Sequence, residues 1–138
     1  MEWYSIAAAQ GDVDAHYNLG IMHLNGEGIP QNYEQAFQLF KVAAAQDDSA
    51  AAYSLAYMYK KGLGRDINLP QANTWYLKAA NLGDAQSQFY LGMCHLMGKN
   101  GLKRDSHLAL DWLTQSAANG NIKAKVIAYF LGLFLSIF

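Results

Sequence analysis

Cysteine and an excess of charge are both nearly absent from this sequence of 138 residues. It has one cysteine, and its formal net charge at pH 7 is -1. A single cysteine, Cys94, excludes an internal disulfide, and its position in an apolar helical segment favours a small buried side chain over a reactive thiol. Without an excess of positive charge, long-range attraction favours neither nucleic acid nor an anionic membrane surface as a partner. We expect no nucleic-acid partner.

The linear motifs of the common catalytic and metal sites are also missing. The chain has no Ser-x-x-Lys, His-Glu-x-x-His or Gly-x-Ser-x-Gly motif and no phosphate-binding glycine loop. His16 and His23 are two helical turns apart, about 10 Å, which is too far for both to reach one metal ion. The sequence therefore predicts no catalytic residue, cofactor or metal.

Long apolar runs are absent as well. The longest, residues 126–138, has 13 residues, whereas a helix that crosses a bilayer needs about 20. We therefore expect no transmembrane span. No secretory signal opens the chain. The compartment stays open between the bacterial cytoplasm and, if a signal precedes this sequence, the periplasm.

What the sequence does contain is an internal repeat of 36 or 37 residues. Equivalent positions carry the same kinds of side chain: Trp3, Leu39, Trp75 and Trp112; Leu19, Leu55 and Leu91; Gly26, Gly62 and Gly98. A period between 20 and 50 residues is typical of a solenoid, in which each unit covers the apolar face of its neighbour.

Each repeat reads as two helices. Apolar residues recur every three or four positions in both halves, as in Ala36, Leu39, Phe40 and Ala43. Asn32, Asn68 and Asp105 share one register position and are predicted to cap the second helices. Gly20, Ala56 and Gly92 share another, where a neighbouring helix can approach closely. Asp47 stands where the other repeats have glycine, and we expect it to adopt a strained left-handed conformation.

The run "AAAQGDVDAHYNLGIMHLNGEGIPQNYEQAFQLFKVAAAQ" resembles the Sel-one-like repeat family, a helical-hairpin relative of the tetratricopeptide repeats. The resemblance covers about residues 3–125. It implies an all-α, right-handed superhelical solenoid of about eight helices in one domain, residues 1–138. We expect a partial repeat at 1–11, full repeats at 12–47, 48–83 and 84–120, and an apolar terminal helix at 121–138.

The resemblance also implies protein-protein interaction, with a peptide or protein partner in a concave groove. By analogy with tetratricopeptide repeats, the residues two before and two after the leucine of each first helix line this groove. In this chain they are Tyr17, Ile21, Tyr53, Tyr57, Phe89 and Met93. Aromatic residues at helical spacing are also typical of a core, so a packing role stays open for all six.

The resemblance suggests one enzymatic alternative. Disulfide-rich relatives have been described as proteins that bind or hydrolyse beta-lactams or peptidoglycan fragments. This chain lacks their paired cysteines and any Ser-x-x-Lys nucleophile motif.

The terminal helix is apolar on all sides. The repeat register predicts that Ala124, Ala128, Leu131 and Gly132 pack on the preceding repeat. The outward set is then Ile127, Phe130, Phe134, Ile137 and Phe138. Self-association into a homo-oligomer, docking on a partner or membrane surface, or a longer or altered chain would each explain this face.

Overall fold

In the computed structural model, Ser5 and residues 12–137 are described. Residues 12–137 form seven helices and no strand, so the all-helical prediction is confirmed. The helices are α1 (Val13–Asn25), α2 (Tyr33–Ala45), α3 (Ser49–Lys61), α4 (Leu69–Asn81), α5 (Ala85–Met97), α6 (Ser106–Ala118) and α7 (Ile122–Ile137). The predicted partial repeat at 1–11 lies outside the described residues except for Ser5, which is helical.

Side-chain oxygens cap most of these helices. Such a cap accepts a hydrogen bond from a first-turn N–H that has no partner within the helix. The predicted caps are confirmed: Asn32 accepts from the N–H of Gln35 at 3.0 Å, Asn68 from Gln71 at 3.1 Å, and Asp105 from Leu108 at 3.0 Å. Asp12, Asp84 and Asn121 cap α1, α5 and α7 in the same way.

One turn geometry recurs between the two helices of each repeat. Gly26, Gly62 and Gly98 end α1, α3 and α5 in the left-handed conformation, with φ of 70°, 69° and 64°. The N–H of each following cap then donates to the preceding helix: Asn32 to the His23 carbonyl at 2.8 Å, Asn68 to Tyr59 at 2.9 Å, and Asp105 to His95 at 2.8 Å. The third repeat has one extra residue in this loop, and the equivalent hydrogen bond still forms.

The junctions between repeats are less uniform. Gly83 and Gly120 have φ of 97° and 100°, and Asp47 has φ of 62° at the equivalent position. The left-handed conformation predicted for Asp47 is therefore confirmed. A residue with a Cβ pays about 1 kcal/mol there, so the α2–α3 junction carries a backbone strain that the glycines avoid.

The chain divides into two compact units, with the boundary inside α4 between Trp75 and Tyr76. In the first unit α2 packs on both α1 and α3. Ala15, Leu19 and Leu39 form part of its core, with Ile29 packed against them. The single domain expected for residues 1–138 stays a prediction.

An arginine fastens the loop after α3 to α2 in this first unit. The guanidinium of Arg65 lies 3.3 Å from the ring centroid of Phe37, and its Nη2 is 3.1 Å from Oε2 of Glu34. Phe37 also packs edge-on against Tyr59 of α3, with ring centroids 5.5 Å apart. Stacking and ion pairing together hold the loop, because the planar guanidinium serves both.

In the second unit α6 packs on both α5 and α7. The buried side chains of Gln88 and Ser116 find hydrogen-bond partners here. Gln88 donates to the Ala80 carbonyl at 3.0 Å and accepts from Asn119 at 3.0 Å, and Ser116 donates to the Ala85 carbonyl at 2.7 Å. Such a satisfied network fixes the helix ends relative to one another.

In two of the hairpins the second helix approaches a glycine of the first helix closely. A Cβ on Gly20 would lie 2.6 Å from Cε1 of Phe40, and one on Gly92 would lie 2.7 Å from Cγ of Leu113. Phe40 and Leu113 are fully buried. The close approach predicted at Gly20 and Gly92 is therefore confirmed.

Gly92→Ala should destabilise the protein by about 1–3 kcal/mol, because the new methyl group overlaps Leu113. Gly132→Ala is the matched control, since a Cβ on this helical glycine meets no atom within 4 Å. It should be neutral or stabilising by up to about 1 kcal/mol, through helix propensity. Urea unfolding measures both. Equal losses for the two variants would contradict the close-approach account.

Asp48→Asn should stabilise the protein at neutral pH. Asp48 stands at the cap position of α3 but has no capping hydrogen bond of good geometry. Burial raises the pKa of its carboxyl, the charge of Asp14 raises it further, and the N–H groups of Ala50 and Ala51 offset part of this. Asparagine keeps a capping oxygen without the charge, as Asn121 does for α7.

A raised folded-state pKa means that ionisation of Asp48 costs stability as pH rises through the unfolded value, about 3.9. The gain from Asp48→Asn should be roughly a few tenths of a kcal/mol at pH 7, because solvent screens this partly exposed group. Urea unfolding at pH 7 and pH 3 checks it. The gain should fade at pH 3, where Asp48 is protonated, and a loss at pH 7 would contradict the expectation.

Candidate functional site

An open hollow of 250 Å³ lies between α1 and α3 in the first unit. Tyr17, Ile21 and Leu24 line it from α1, and Tyr53, Ser54 and Tyr57 line it from α3. Pockets for whole small molecules usually measure about 300–1,000 Å³. This hollow is smaller, and its size suits one or two side chains of a larger partner.

Helical spacing puts these residues on one face. Tyr17 and Ile21, like Tyr53 and Tyr57, are four positions apart and so stand one above the other. Leu19 and Leu55, which lie between them in sequence, turn the other way and are buried. This arrangement leaves aromatic and aliphatic side chains on the face of α1 and α3 that is opposite to the buried leucines.

The rings of the hollow are held by their neighbours. Tyr53 and Tyr57 stack with centroids 6.5 Å apart and planes inclined by 25°. Tyr17 rests against Phe40, with centroids 5.9 Å apart. Because Phe40 is fully buried, Tyr17 is supported by the core. Side chains that are ordered before binding lose little entropy when a partner docks.

The wall of the hollow is mostly apolar. The Ser54 hydroxyl donates to the Ala50 carbonyl of its own helix at 3.0 Å, so its polarity is used within α3. Tyr57 remains 37% exposed. Rings with an apolar body and a phenol at the tip suit a surface that buries carbon atoms and still offers hydrogen bonds at its rim.

Four of the six predicted groove residues thus meet in one place: Tyr17, Ile21, Tyr53 and Tyr57. Phe89 and Met93 lie on α5 in the second unit, where Phe89 lines a hollow with Gln86, Gly120, Asn121, Ile122 and Lys123. The sequence did not point to Leu24 and Ser54. Leu24 follows Ile21 by three positions, so its helical spacing could have indicated it.

Two of the histidines and the cysteine make local structural contacts, while Nδ1 of His23 is buried without a hydrogen-bond partner among the described residues. Nδ1 of His16 is hydrogen-bonded to the carbonyl of Asp12, and Nδ1 of His95 to that of Lys103, both at 2.8 Å. Cys94 is fully buried, and its sulfur accepts from Asn100 at 3.4 Å. Over the part of the chain that the structure describes, no three His, Cys, Asp or Glu side chains gather as metal ligands would.

Burial also changes the pKa of one titratable side chain of α5, Tyr90. Tyr90 stacks on Tyr76 with ring centroids 3.8 Å apart. Desolvation raises the pKa of the Tyr90 phenol well above its usual range, and the neighbouring Cys94 raises it further. This phenol therefore stays neutral across the physiological range.

A second exposed apolar surface lies on α7. Phe130, Phe134 and Ile137 are exposed, in the direction that the sequence indicated, while Ile127 is half-buried and Phe138 lies outside the described residues. Ile122, Val126, Tyr129 and Leu133 are exposed beside them. Among the residues described, no helix has both the length and the hydropathy for a membrane crossing.

Comparisons with known proteins agree on the architecture. The Sel1 repeat model matches residues 1–12, 13–48, 49–84 and 85–121, each boundary one residue beyond the predicted one. A Sel1 repeat protein from Oxalobacter formigenes is 35% identical, with a TM-score of 0.84 over 89% of this chain. The protective antigen c5321 of uropathogenic Escherichia coli, described as having an SLR fold, is 34% identical, with a TM-score of 0.83 over 90%.

Two further similarities are more limited, one in sequence identity and the other in coverage. Helicobacter pylori cysteine rich protein B has a TM-score of 0.71 over 90% of this chain and 93% of its own, but at 24% identity it shares the fold alone. An uncharacterized Sel1-like repeat-containing protein of Schizosaccharomyces pombe is 48% identical over 40 residues, 29% of this chain. The chain spans 50% of the Oxalobacter protein, 26% of the Escherichia coli antigen and 6% of the yeast protein.

Proposed function

Because this chain belongs to the Sel1 repeat family, whose members are generally protein-interaction modules, we propose that it binds a partner protein or peptide through the hollow between α1 and α3. The fold of the family is typically a non-enzymatic scaffold. An adaptor or scaffold role follows, in which the solenoid holds a partner by surface contacts.

The observation that carries this proposal is the convergence of Tyr17, Ile21, Tyr53 and Tyr57 on one open apolar surface. Tyrosine is enriched at interface positions that contribute most of the binding energy, because it buries a large rigid surface at a low cost in entropy. A volume of 250 Å³ accommodates an apolar side chain that projects from a peptide or a helix.

The enzymatic alternative has less support. It rests on disulfide-rich relatives, and the likeness to Helicobacter pylori cysteine rich protein B concerns the fold alone at 24% identity. The one cysteine of this chain is buried and cannot form an internal disulfide. His16 and His95 use their Nδ1 atoms in hydrogen bonds with backbone carbonyls, which are local structural contacts. The proposed binding role therefore has the better support.

Tyr57→Ala should weaken binding of a groove ligand at least about 10-fold, because it removes an exposed ring that lines the hollow. The probe is a set of synthetic peptides selected by the parent protein from a random 15-residue phage library. Fluorescence polarisation of labelled peptides gives the dissociation constants. Since Tyr57 is 37% exposed, the variant should remain folded, which circular dichroism checks.

Leu77→Ala is the matched control, because Leu77 is an exposed apolar side chain of α4 that lies outside the residues lining the hollow. It should bind the selected peptides as the parent does. Peptides that bind the parent and Tyr57→Ala with equal affinity would place the binding surface elsewhere and overturn the proposal.

A further inference from the structure

Helix α7 has two apolar faces, and only one of them is covered. One face packs on α6, with Ala124 fully buried. The other carries seven large apolar side chains that are 47–78% exposed: Ile122, Val126, Tyr129, Phe130, Leu133, Phe134 and Ile137. Their spacing of three and four residues makes one continuous stripe along the helix. We call this stripe the α7 outer face.

The repeat register argues against a further helix of the same solenoid as the cover. Tyr129 occupies the position that Gly20, Ala56 and Gly92 hold in the earlier first helices. At Gly92 even a methyl group would lie 2.7 Å from Leu113, so a tyrosine there prevents a second helix from packing as α6 packs on α5. Leu135 likewise replaces the glycine that ends α1, α3 and α5, and α7 continues to Ile137.

The α7 outer face is nearly symmetric about its own midpoint. Reversing the helix about the point between Tyr129 and Phe130 exchanges these two residues, exchanges Val126 with Leu133, and exchanges Ile122 with Ile137. Six of the seven exposed apolar positions therefore fall on one another. In an isologous two-fold pair the same patch of both copies is buried, so an antiparallel arrangement sets one apolar stripe against another of the same length.

Charge favours the same arrangement. The charged residues of α7 are Lys123 and Lys125, both near its N-terminus. In an antiparallel pair they lie near the C-terminal carbonyls of the partner helix, where a positive charge is favourable. A parallel pair would bring four lysines together instead.

We propose that the chain forms a two-fold homodimer in which the α7 outer faces of two copies pack as an antiparallel helix pair. At about 200 Å² for a large apolar side chain, the exposed stripe offers roughly 800 Å² per copy, the contribution of one partner to a standard-size interface. The dimer does not involve Tyr17, Tyr53 or Tyr57, so either proposal can fail without the other.

Analytical ultracentrifugation of the intact chain tests the dimer. The parent should sediment at twice the chain mass at micromolar concentration, and Phe130→Glu should raise the dissociation constant at least about 30-fold. Leu77→Glu is the control, a charge placed on an exposed apolar residue of α4, and it should remain a dimer. Both variants should keep the circular dichroism spectrum of the parent.

Crosslinking tests the orientation. Val126→Cys and Leu133→Cys, each alone, should give little product with a short bifunctional thiol reagent, while a mixture of the two should give a covalent dimer. The parent is the blank, since Cys94 is buried. Self-crosslinking of each single variant, with none gained on mixing, would show a parallel pair and overturn the antiparallel dimer.

The remaining outcomes also decide the proposal. A parent that is monomeric at about 100 μM, far above the dissociation constants of specific interfaces of this size, has no such dimer. If that monomer binds vesicles of anionic phospholipid through Phe130, the α7 outer face is a membrane-docking surface and the dimer is wrong. A dimer that persists unchanged in Phe130→Glu lies on another surface and is equally contrary to the proposal.

Discussion

Two of the helical hairpins depend on a glycine of the first helix, which has no side chain to keep the second helix away. At Gly20 the ring of Phe40 occupies the space of the missing Cβ, and at Gly92 the side chain of Leu113 does so. Protein interiors are packed closely enough that a misfit of one methyl group is felt. This steric condition, which recurs at Gly20 and Gly92, sets how these two hairpins close.

The candidate binding surface follows from that closure. Once Leu19 and Leu55 are committed to the interior, helical periodicity turns Tyr17, Ile21, Tyr53 and Tyr57 outward onto the opposite side. Phe40 contributes both to the hairpin and to the hollow, since it fills the space beside Gly20 and supports the ring of Tyr17. The packing that holds the first hairpin together therefore also orders one wall of the hollow.

The α7 outer face differs from the earlier first helices at the same register position. Tyr129 stands in place of the small residue, and exposed rings and aliphatic side chains surround it. Exposed apolar patches of several hundred Å² on soluble proteins usually mark an interaction site. The area of this face, close to what one partner contributes to a standard-size interface, is what makes a second copy the occupant that we favour.

Much of the fold could be predicted from the sequence, because it is encoded by spacing and by local chemistry. The cap at Asn32 is a local interaction that does not depend on the tertiary fold, and the strain at Asp47 follows from its position in the repeat. The Glu34–Arg65 ion pair could not be predicted, since it joins residues far apart in the chain.

The candidate site was harder to predict from the sequence for a related reason. The spacing of Leu24 from Ile21 could have indicated it, but Ser54 lines the hollow because of how α3 is rotated about its axis, which no single-helix pattern specifies. Ile127 was expected to face outward and is half-buried, while its neighbour Val126 is exposed. One residue is 100° of helix rotation, so a small error in register exchanges such neighbours.

The most direct measurement of the central claim is a nuclear Overhauser spectrum of the isotopically labelled chain. The account predicts strong contacts from the Hα protons of Gly20 to the ring of Phe40, and from those of Gly92 to the methyl groups of Leu113. Their absence at both glycines, in a folded and well-dispersed spectrum, would contradict it.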